Sequence, residues 1–480
     1  MSFNSFEYLW FLPLVFVLYW FVCKPLRWQN LLVVTASYLF YGWWDWRFLL
    51  LIGFTTACSY LSGIGIEHYK PKDKTQPKTI AYTISALNIV LNLGILATFK
   101  YLGFFVDSLS ALASTFGWSI DTPTLNILLP VGISFYTFQA LGYSIDVYRG
   151  RIKASHDVVA FFAYVSFFPQ LVAGPIERAS NLLPQFTRPR TFDYAQAVDG
   201  MRQMLWGFVK KLVIADNCAL YTEQIFADPA SLGSQHLLMG MALFFLQVYC
   251  DFSGYSDIAI GTAKLFGIRL SRNFNAPLFS RDISEYWRRW HISLNSWFFD
   301  YLFMPLGGWN KKWKVARNVV IVFGLCGLWH GASWTFVCWG LYFGLLTLPY
   351  FLKIRMYKDP IVANRTVLPS WLELWQMVRT FLLVILGTPL FRCQTMSDAL
   401  TYYSSFLTNG WIHGGPSYGK GFIVLLVLFF AVEWVQRKRE HPLQIEAIRW
   451  RPVRWAIYYG LAVLIFFFFI ETSQFVYFQF

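Results

Sequence analysis

Apolar residues in this chain gather into long runs near 6–23, 29–44, 48–66, 80–99, 126–147, 157–175, 204–222, 237–260, 318–350, 376–391, 421–435 and 455–473. About 20 apolar residues of α-helix cross the roughly 30 Å hydrocarbon core of a bilayer. Some runs are short or polar enough to re-enter or lie in the interface. The pattern therefore predicts an all-α polytopic membrane protein with roughly 9 to 12 crossings. No segment between the runs is long and polar enough to form a soluble domain, and no internal repeat is visible. Residues 1–480 read as one membrane domain. The first run is expected to stay as a membrane helix: Glu7 is the only charge before Lys24, and no small-residue cleavage site follows Cys23.

Composition sharpens this. Hydrophobic residues make up 56% of the chain, aromatic residues 20% and charged residues only 14%, against roughly a quarter charged in a soluble domain. That depletion excludes soluble globular, disordered and fibrous classes. A net charge of +14 in a soluble protein would suggest nucleic acid. Here it is expected to reflect Lys and Arg collected in cytoplasmic loops, with membrane lipid and not nucleic acid as the surroundings. Lys24 and Arg27 follow the first run, Asp45 and Arg47 cancel after the second, and Lys70, Lys72, Lys74 and Lys78 follow the third. This alternation places the N-terminus outside. Seven Cys without paired spacing read as core residues, not as disulfides or metal ligands.

Residues 264–317 carry ten Lys or Arg against three acids, with thirteen aromatic residues interleaved. Amphipathic helices in the headgroup zone explain the pattern. A cytoplasm-facing basic mouth for an anionic substrate or carrier is the sharper reading, which the residues alone favour less and which is compatible with the first.

Three places hold candidate chemistry. From Asn318 to Leu352 there is no Asp, Glu, Lys or Arg. As one helix this would run about 52 Å, so a break is expected within Gly324–Gly331, where three glycines loosen the backbone. His330 lies there. A lone His on an apolar face is most often a satisfied core residue, yet ionisable groups at membrane depth tend to line cavities or pathways. His291 follows Glu285-Tyr-Trp-Arg-Arg-Trp and precedes Asn295. It reads either as an interfacial His or as the partner of His330 in a shared cavity. Asp251 and Asp257 interrupt an apolar crossing beside Tyr249 and Ser253, as a polar network between helices or as a cavity wall. Other templates fail. His68 and Asp73 have an H-x-x-x-x-D spacing, but Pro71 and lysines surround it. There is no nucleophile elbow, dinucleotide fingerprint, phosphate loop or metalloprotease motif.

Four blocks then carry a resemblance. They are Pro169-Gln-Leu-Val-Ala-Gly-Pro-Ile-Glu-Arg178, Gln247 to Gly261, Tyr286-Trp-Arg-Arg-Trp-His-Ile-Ser-Leu294 running on to Gly308, and Gly327-Leu-Trp-His-Gly-Ala-Ser-Trp-Thr-Phe336 with Trp339-Gly340. With the ending Phe475 to Phe480, they resemble the membrane-bound O-acyltransferases, and within them the bacterial alginate O-acetylation branch. The resemblance implies a helical membrane fold around a buried funnel or tunnel, with the family's intramembrane His at His330 and its second His or Asn at His291. It implies acyl transfer from a thioester donor, acetyl-CoA or another acyl thioester, to a hydroxyl, with no bound cofactor or metal. In this branch, set in the bacterial inner membrane, acetyl passes across the bilayer and an SGNH-hydrolase-like partner completes transfer to an envelope polymer. Alginate-like polysaccharide is the first expected acceptor, with peptidoglycan O-acetylation and D-alanyl transfer to teichoic acid as alternatives.

On this reading His330 is the general base. His291 polarises the thioester carbonyl or positions substrate, and Asp251 holds a His tautomer. Tyr249, Ser253, Asn295 and Trp329 line the cavity. The rival class is a proton- or ion-coupled transporter relaying through His330, Asp251 and Asp257, against which the lack of matching broken helices in two halves counts.

Overall fold

A computed structural model describes residues 1–70, 79–118, 128–353, 361–364, 366–412 and 414–470. Pro71, Lys72, Asp73, Lys74, Lys78 and the ending Phe475–Phe480 lie outside the described residues, as do 126–127 and 471–473 at the edges of two apolar runs. All regular structure among the described residues is helical. Six helices are apolar and long enough to cross a bilayer by length and composition: Arg47–Tyr69, Thr79–Thr115, Ser234–Leu265, Trp334–Leu352, Trp371–Arg392 and Arg451–Phe468. The protein is an all-α polytopic membrane protein.

The chain divides into two compact units. The first comprises Met1–Val198 with Thr262–Ser271. It contains α1 (Phe6–Val17), α2 (Leu26–Gly42), α3 (Arg47–Tyr69), α4 (Thr79–Leu96), α5 (Leu102–Thr115), α6 (Ile133–Arg149), α7 (Val158–Ser166), α8 (Phe168–Leu171) and α9 (Ala179–Thr187). Helix α6 is buried along almost its whole length between α3 and α4. The apolar run at 157–175, expected as one crossing, is instead split into α7 and α8. Pro169 removes a helical N–H, and its ring would strike the carbonyl four residues earlier. The returning segment Thr262–Ser271 is tied to the start of the chain. Tyr8 Oη lies 2.7 Å from Thr262 Oγ1, Tyr19 Oη donates to the Phe266 carbonyl (3.0 Å) and Trp20 Nε1 to that of Leu265 (2.9 Å).

The second unit comprises Asp199–Gly261 and Arg272–Phe480. Its helices are α10 (Tyr194–Phe208, from Asp199 on), α11 (Asp216–Ala227), α12 (Ser234–Leu265, up to Gly261), α13 (Ile283–Arg289), α14 (Ile292–Phe298), α15 (Lys312–His330), α16 (Trp334–Lys353), α17 (Trp371–Ile385), α18 (Thr388–Arg392), α19 (Met396–Thr408), α20 (Lys420–Val435) and α21 (Arg451–Phe468). Between α10 and α11, residues Val209–Ala215 form widened π-type turns, a local irregularity that is frequent at functional sites.

The expected break in the long apolar run is present, but it falls after the first two glycines. Helix α15 continues through Gly324 and Gly327 to His330, and the chain turns at Gly331–Ser333. The reason is packing. Helices α15 and α16 form a close hairpin in which a Cβ on Gly327 would overlap the Phe336 carbonyl, and one on Gly340 the Phe323 carbonyl. These glycines therefore shorten the distance between two helices instead of loosening one of them. The turn ends α15 on His330, so this side chain projects from a helix terminus.

Gly340→Ala should force the hairpin apart at an overpacking cost of about 1–3 kcal/mol, seen as a lower melting temperature of the detergent-solubilised protein. Gly324→Ala is the control. Its Cβ would meet only Leu341 Cδ2 at 3.5 Å, so relief of the helical glycine penalty should leave stability unchanged or raised by about 0.5–1 kcal/mol.

Candidate active site

The residues singled out above all lie in the second unit, and the chain reaches each by a different device. His291 sits at the corner between α13 and α14. Helix α13 starts on Asp282, whose side chain accepts from the Glu285 N–H (2.7 Å). It is then held by a buried ionic network: Glu285 accepts from Arg281 Nε (3.0 Å) and Nη2 (2.9 Å) and from Arg289 Nη2 (2.8 Å). Arg289 also donates to the Asn275 carbonyl (3.0 Å), while the Asn275 N–H donates to that of Arg289 (2.9 Å), pinning the 272–276 segment along the helix. Two of the ten basic residues expected on a charged face, Arg281 and Arg289, are thus internal. At that depth a guanidinium is tolerated only with its carboxylate.

Past Trp290 the chain turns through His291 in the left-handed region (φ 44°, ψ 54°). This costs a non-glycine residue about 1–3 kcal/mol and marks functional sites more often than chance turns. Asn295 stabilises the corner by donating to the carbonyls of Trp287 (2.7 Å) and Trp290 (2.6 Å). His291 Nδ1 lies 3.3 Å from Asn273 Oδ1, and its ring packs edge-on against Phe252 at 4.7 Å. The imidazole is almost wholly buried. Burial alone pushes its pKa down, to about 3, so it is neutral across the physiological range.

His330 ends α15 inside an aromatic cage. Its ring centroid lies 4.9 Å from Trp329, 5.0 Å from Trp339 and 5.3 Å from Phe391. Trp329 is also 5.8 Å from His291. One indole therefore touches both imidazoles and joins the two histidines into a single cluster. His330 borders a cavity of about 30 Å³ with Tyr286, Trp290, Trp339, Thr388 and Phe391 on its wall, room for about one ordered water.

The other predicted residues are distributed around this cluster. Asn295 lines a second, apolar cavity of about 460 Å³ together with Trp287, Arg288, Phe323 and Cys326, within the 300–1,000 Å³ of ligand pockets. Tyr249 and Ser253 line a third, small polar pocket with Lys210, Asp257, Arg272 and Asn273, and Tyr249 Oη donates to Glu433 (3.0 Å). Asp251 is paired with Lys211 (2.7 Å), which also meets Asp216 (2.9 Å), all three buried. Asp257 pairs with Lys210 at 2.5 Å and accepts from Gln203 (2.8 Å). Asp251 was expected to orient a histidine; the acceptor on His291 Nδ1 is the amide of Asn273. Sequence reading missed Asn273, Lys210, Lys211 and Glu433. The lysine pair and Glu433 did leave a signal, as charges inside the apolar runs at 204–222 and 421–435. Asn273 left none.

Both histidines and the α13–α16 framework fall inside residues 149–368, which match the model of MBOAT, the membrane-bound O-acyltransferase family. Over 413 residues the chain is 40% identical to the probable alginate O-acetylase AlgI of Azotobacter vinelandii, covering 85% of this chain and 78% of that protein. The chain belongs to the membrane-bound O-acyltransferase family. It is also 39% identical over 413 residues to the probable alginate O-acetylase AlgI of Pseudomonas aeruginosa, covering 85% of this chain and 75% of the relative. The peptidoglycan O-acetyltransferase of Helicobacter pylori is 33% identical over 420 residues, 81% of this chain and 76% of the relative. As a membrane-bound O-acyltransferase the protein is an acyltransferase, and the donor, not a metal, supplies the group it moves.

Glu285→Ala should remove the carboxylate that the buried Arg281 and Arg289 guanidiniums share, leaving Arg281 the longer contact with Glu373 (3.7 Å), at a cost of about 3–5 kcal/mol in the thermal stability of the solubilised protein. Burial raises the Glu285 pKa, but the Arg281 and Arg289 contacts outweigh it and hold the carboxyl below its usual range. A depressed carboxyl stabilises fully above its unfolded pKa of about 4.3 and loses this as pH falls through the folded value. Acid melting of the wild type should therefore steepen below that pH, and in Glu285→Ala that component should vanish.

Proposed function

We propose that this acyltransferase takes an acetyl group from a cytoplasmic thioester, acetyl-CoA or another acyl thioester, and passes it across the bacterial inner membrane toward hydroxyls of an alginate-like envelope polysaccharide. An SGNH-hydrolase-like protein outside receives it, and the N-terminus faces outside. His330 removes the proton of the accepting hydroxyl. The oxygen attacks the thioester carbonyl, the tetrahedral intermediate collapses with loss of the C–S bond, and the proton returns from the imidazolium to the departing thiolate. His291, which shares Trp329 with His330, works at the same reaction, and Tyr249, Ser253, Asn295 and Asp251 shape the surrounding polar and apolar walls.

The observation that carries this reading is the single buried cluster His291–Trp329–His330. Two imidazoles that share one aromatic neighbour are poised to act on one substrate, and the narrow cavity at His330 limits the water that would hydrolyse a thioester. The apolar cavity supports it further. It borders α15 from Val319 to Cys326, between the cationic start of that helix at Lys312, Lys314 and Arg317 and His330 at its end. Positive charge of this kind belongs on the cytoplasmic side, so a donor arm lying there would run from the cytoplasm toward the base. The Helicobacter relative favours peptidoglycan as the second acceptor.

Radiolabelled acetyl-CoA supplied to membrane vesicles tests the proposal. Wild type should label protein, partner or glycan. His330→Ala should lower transfer by about 10²–10⁴-fold while remaining folded, and His291→Ala should also be impaired. Near wild-type labelling by His330→Ala would remove the assigned base. Label recovered in uronic acid or in muramic acid separates the two acceptors.

A further inference from the structure

The hydrogen bonds around Asn273 determine which nitrogen of His291 carries its proton. Asn273 is completely buried. Its Oδ1 accepts from the Ser293 backbone N–H (3.2 Å), an unambiguous donor, and from the Ser293 hydroxyl (2.7 Å), while its Nδ2 reaches Ser256 Oγ at 3.5 Å. The amide orientation is therefore fixed, with oxygen toward α14. The Asn273 carbonyl also takes the Ile292 N–H (2.9 Å). This one residue thus binds both residues that follow His291 and holds its strained backbone. The group presented to His291 Nδ1 at 3.3 Å is an oxygen acceptor. With Nδ1 bare, two acceptors would face each other at that distance; the contact is attractive only if Nδ1 carries the proton, and in a neutral imidazole that leaves Nε2 as the acceptor.

We infer that Asn273 is a positioning residue that locks His291 in the Nδ1–H tautomer, so that His291 accepts a hydrogen bond from the substrate through Nε2 and does not donate one to the thioester carbonyl. This rests on the acyl-transfer reading for its catalytic meaning and on the hydrogen bonds for the tautomer. It revises the expectation that His291 polarises the carbonyl, since a neutral ring held in this way has no second N–H to give. The natural ligand of its Nε2 is a hydroxyl, the chemistry of the acceptor. Burial reinforces the assignment by keeping the ring neutral. The charged or titratable groups on the surrounding elements are Asp251 and Asp257 of α12, paired with Lys211 and Lys210, Arg272 beside Asn273, Arg289 of α13 bound to Glu285, and His330 of α15.

Two variants and one spectrum test the inference on the full-length protein. Asn273→Leu removes the acceptor. It should lower kcat about 10–100-fold, the scale of losing the partner that orients a metal-bound histidine, with the KM for acetyl-CoA nearly unchanged. Asn273→Asp keeps an oxygen acceptor and adds a negative charge that favours the imidazolium. It should rescue most of the activity at high pH while moving the acidic limb of the pH–rate profile upward. A purely structural Asn273 would instead lower activity evenly across pH in both variants, and wild-type kcat in Asn273→Leu would overturn the proposal outright. The tautomer is read independently of activity by nitrogen-15 NMR of the histidine-labelled protein in lipid nanodiscs, with the His291 signals identified by their loss in His291→Gln. Protonated Nδ1 is expected, and protonated Nε2 refutes the inference. If wild type transfers no acetyl at all, the function proposed above fails while this spectrum still decides the tautomer.

Discussion

A polar group in the interior of this protein is costly to bury unless another group meets it at bonding distance. That constraint organises the second unit. Lys211 lies against Asp251 and Asp216, Lys210 against Asp257, and Glu285 between Arg281 and Arg289. Glu433 receives Trp206 and Tyr249. None of these sets is expected to add much net stability, because the desolvation cost of buried ions approaches their attraction. What they do is forbid alternatives. A helix that rotates or slides leaves a bare charge behind, so the pairs between helices fix the register of α10, α12 and α20, while the Arg281–Glu285–Arg289 set holds α13 itself.

Close backbone contact makes that pairing possible. Gly207 and Gly254 face each other where α10 meets α12. A Cβ on Gly207 would lie 2.7 Å from the Gly254 carbonyl, and one on Gly254 2.8 Å from that of Gly207. Approach this near brings the Lys210 and Lys211 side chains from the widened turns onto α12, where they reach two carboxylates six residues apart that share no helix face. The α15–α16 hairpin repeats the solution with Gly327 and Gly340. In lipid, where apolar surface gains little from leaving its solvent, small residues that let backbones meet are a principal source of helix association. The glycines of the apolar runs accordingly mark contact points more than points of weakness.

This explains what could be read from the sequence. Long continuous charge-poor runs require helices, because the other structure that satisfies the backbone in a bilayer, the closed β-barrel, reads as short alternating segments, so the all-α membrane class was legible from hydropathy alone. His330 was legible as an imidazole in a run without other titratable groups, and His291 through its motif. The position of the break near His330 was legible to within a turn, but its cause was not. Gly324 and Gly327 look the same in sequence whether they loosen a helix or seat it against another. The split at Pro169 shows the same limit from the other side, since hydropathy reads through a proline that the backbone cannot. Asn273 was illegible for a different reason: its meaning lies in a pairing across 18 residues, made by a loop that carries no period and no motif.

The two histidines reach their common neighbour by opposite backbone strategies, and this bears on what each can do. His330 ends a regular helix, so its direction is set by the α15–α16 contact below it and by three aromatic rings around it. Aromatic walls orient an imidazole, and in the mechanism proposed above this ring gains a proton at one stage and returns it at another. His291 lies on a strained left-handed turn, held by a polar residue that has a fixed orientation. A proton bound to Nδ1 there is committed to Asn273, and exchanging it would leave that amide oxygen and the ring nitrogen facing each other as two acceptors. On the inference above, Asn273 holds His291 in one proton state. In the mechanism proposed above, His330 carries the proton between acceptor and leaving thiol, while His291 offers a constant acceptor that fixes the direction from which the hydroxyl approaches.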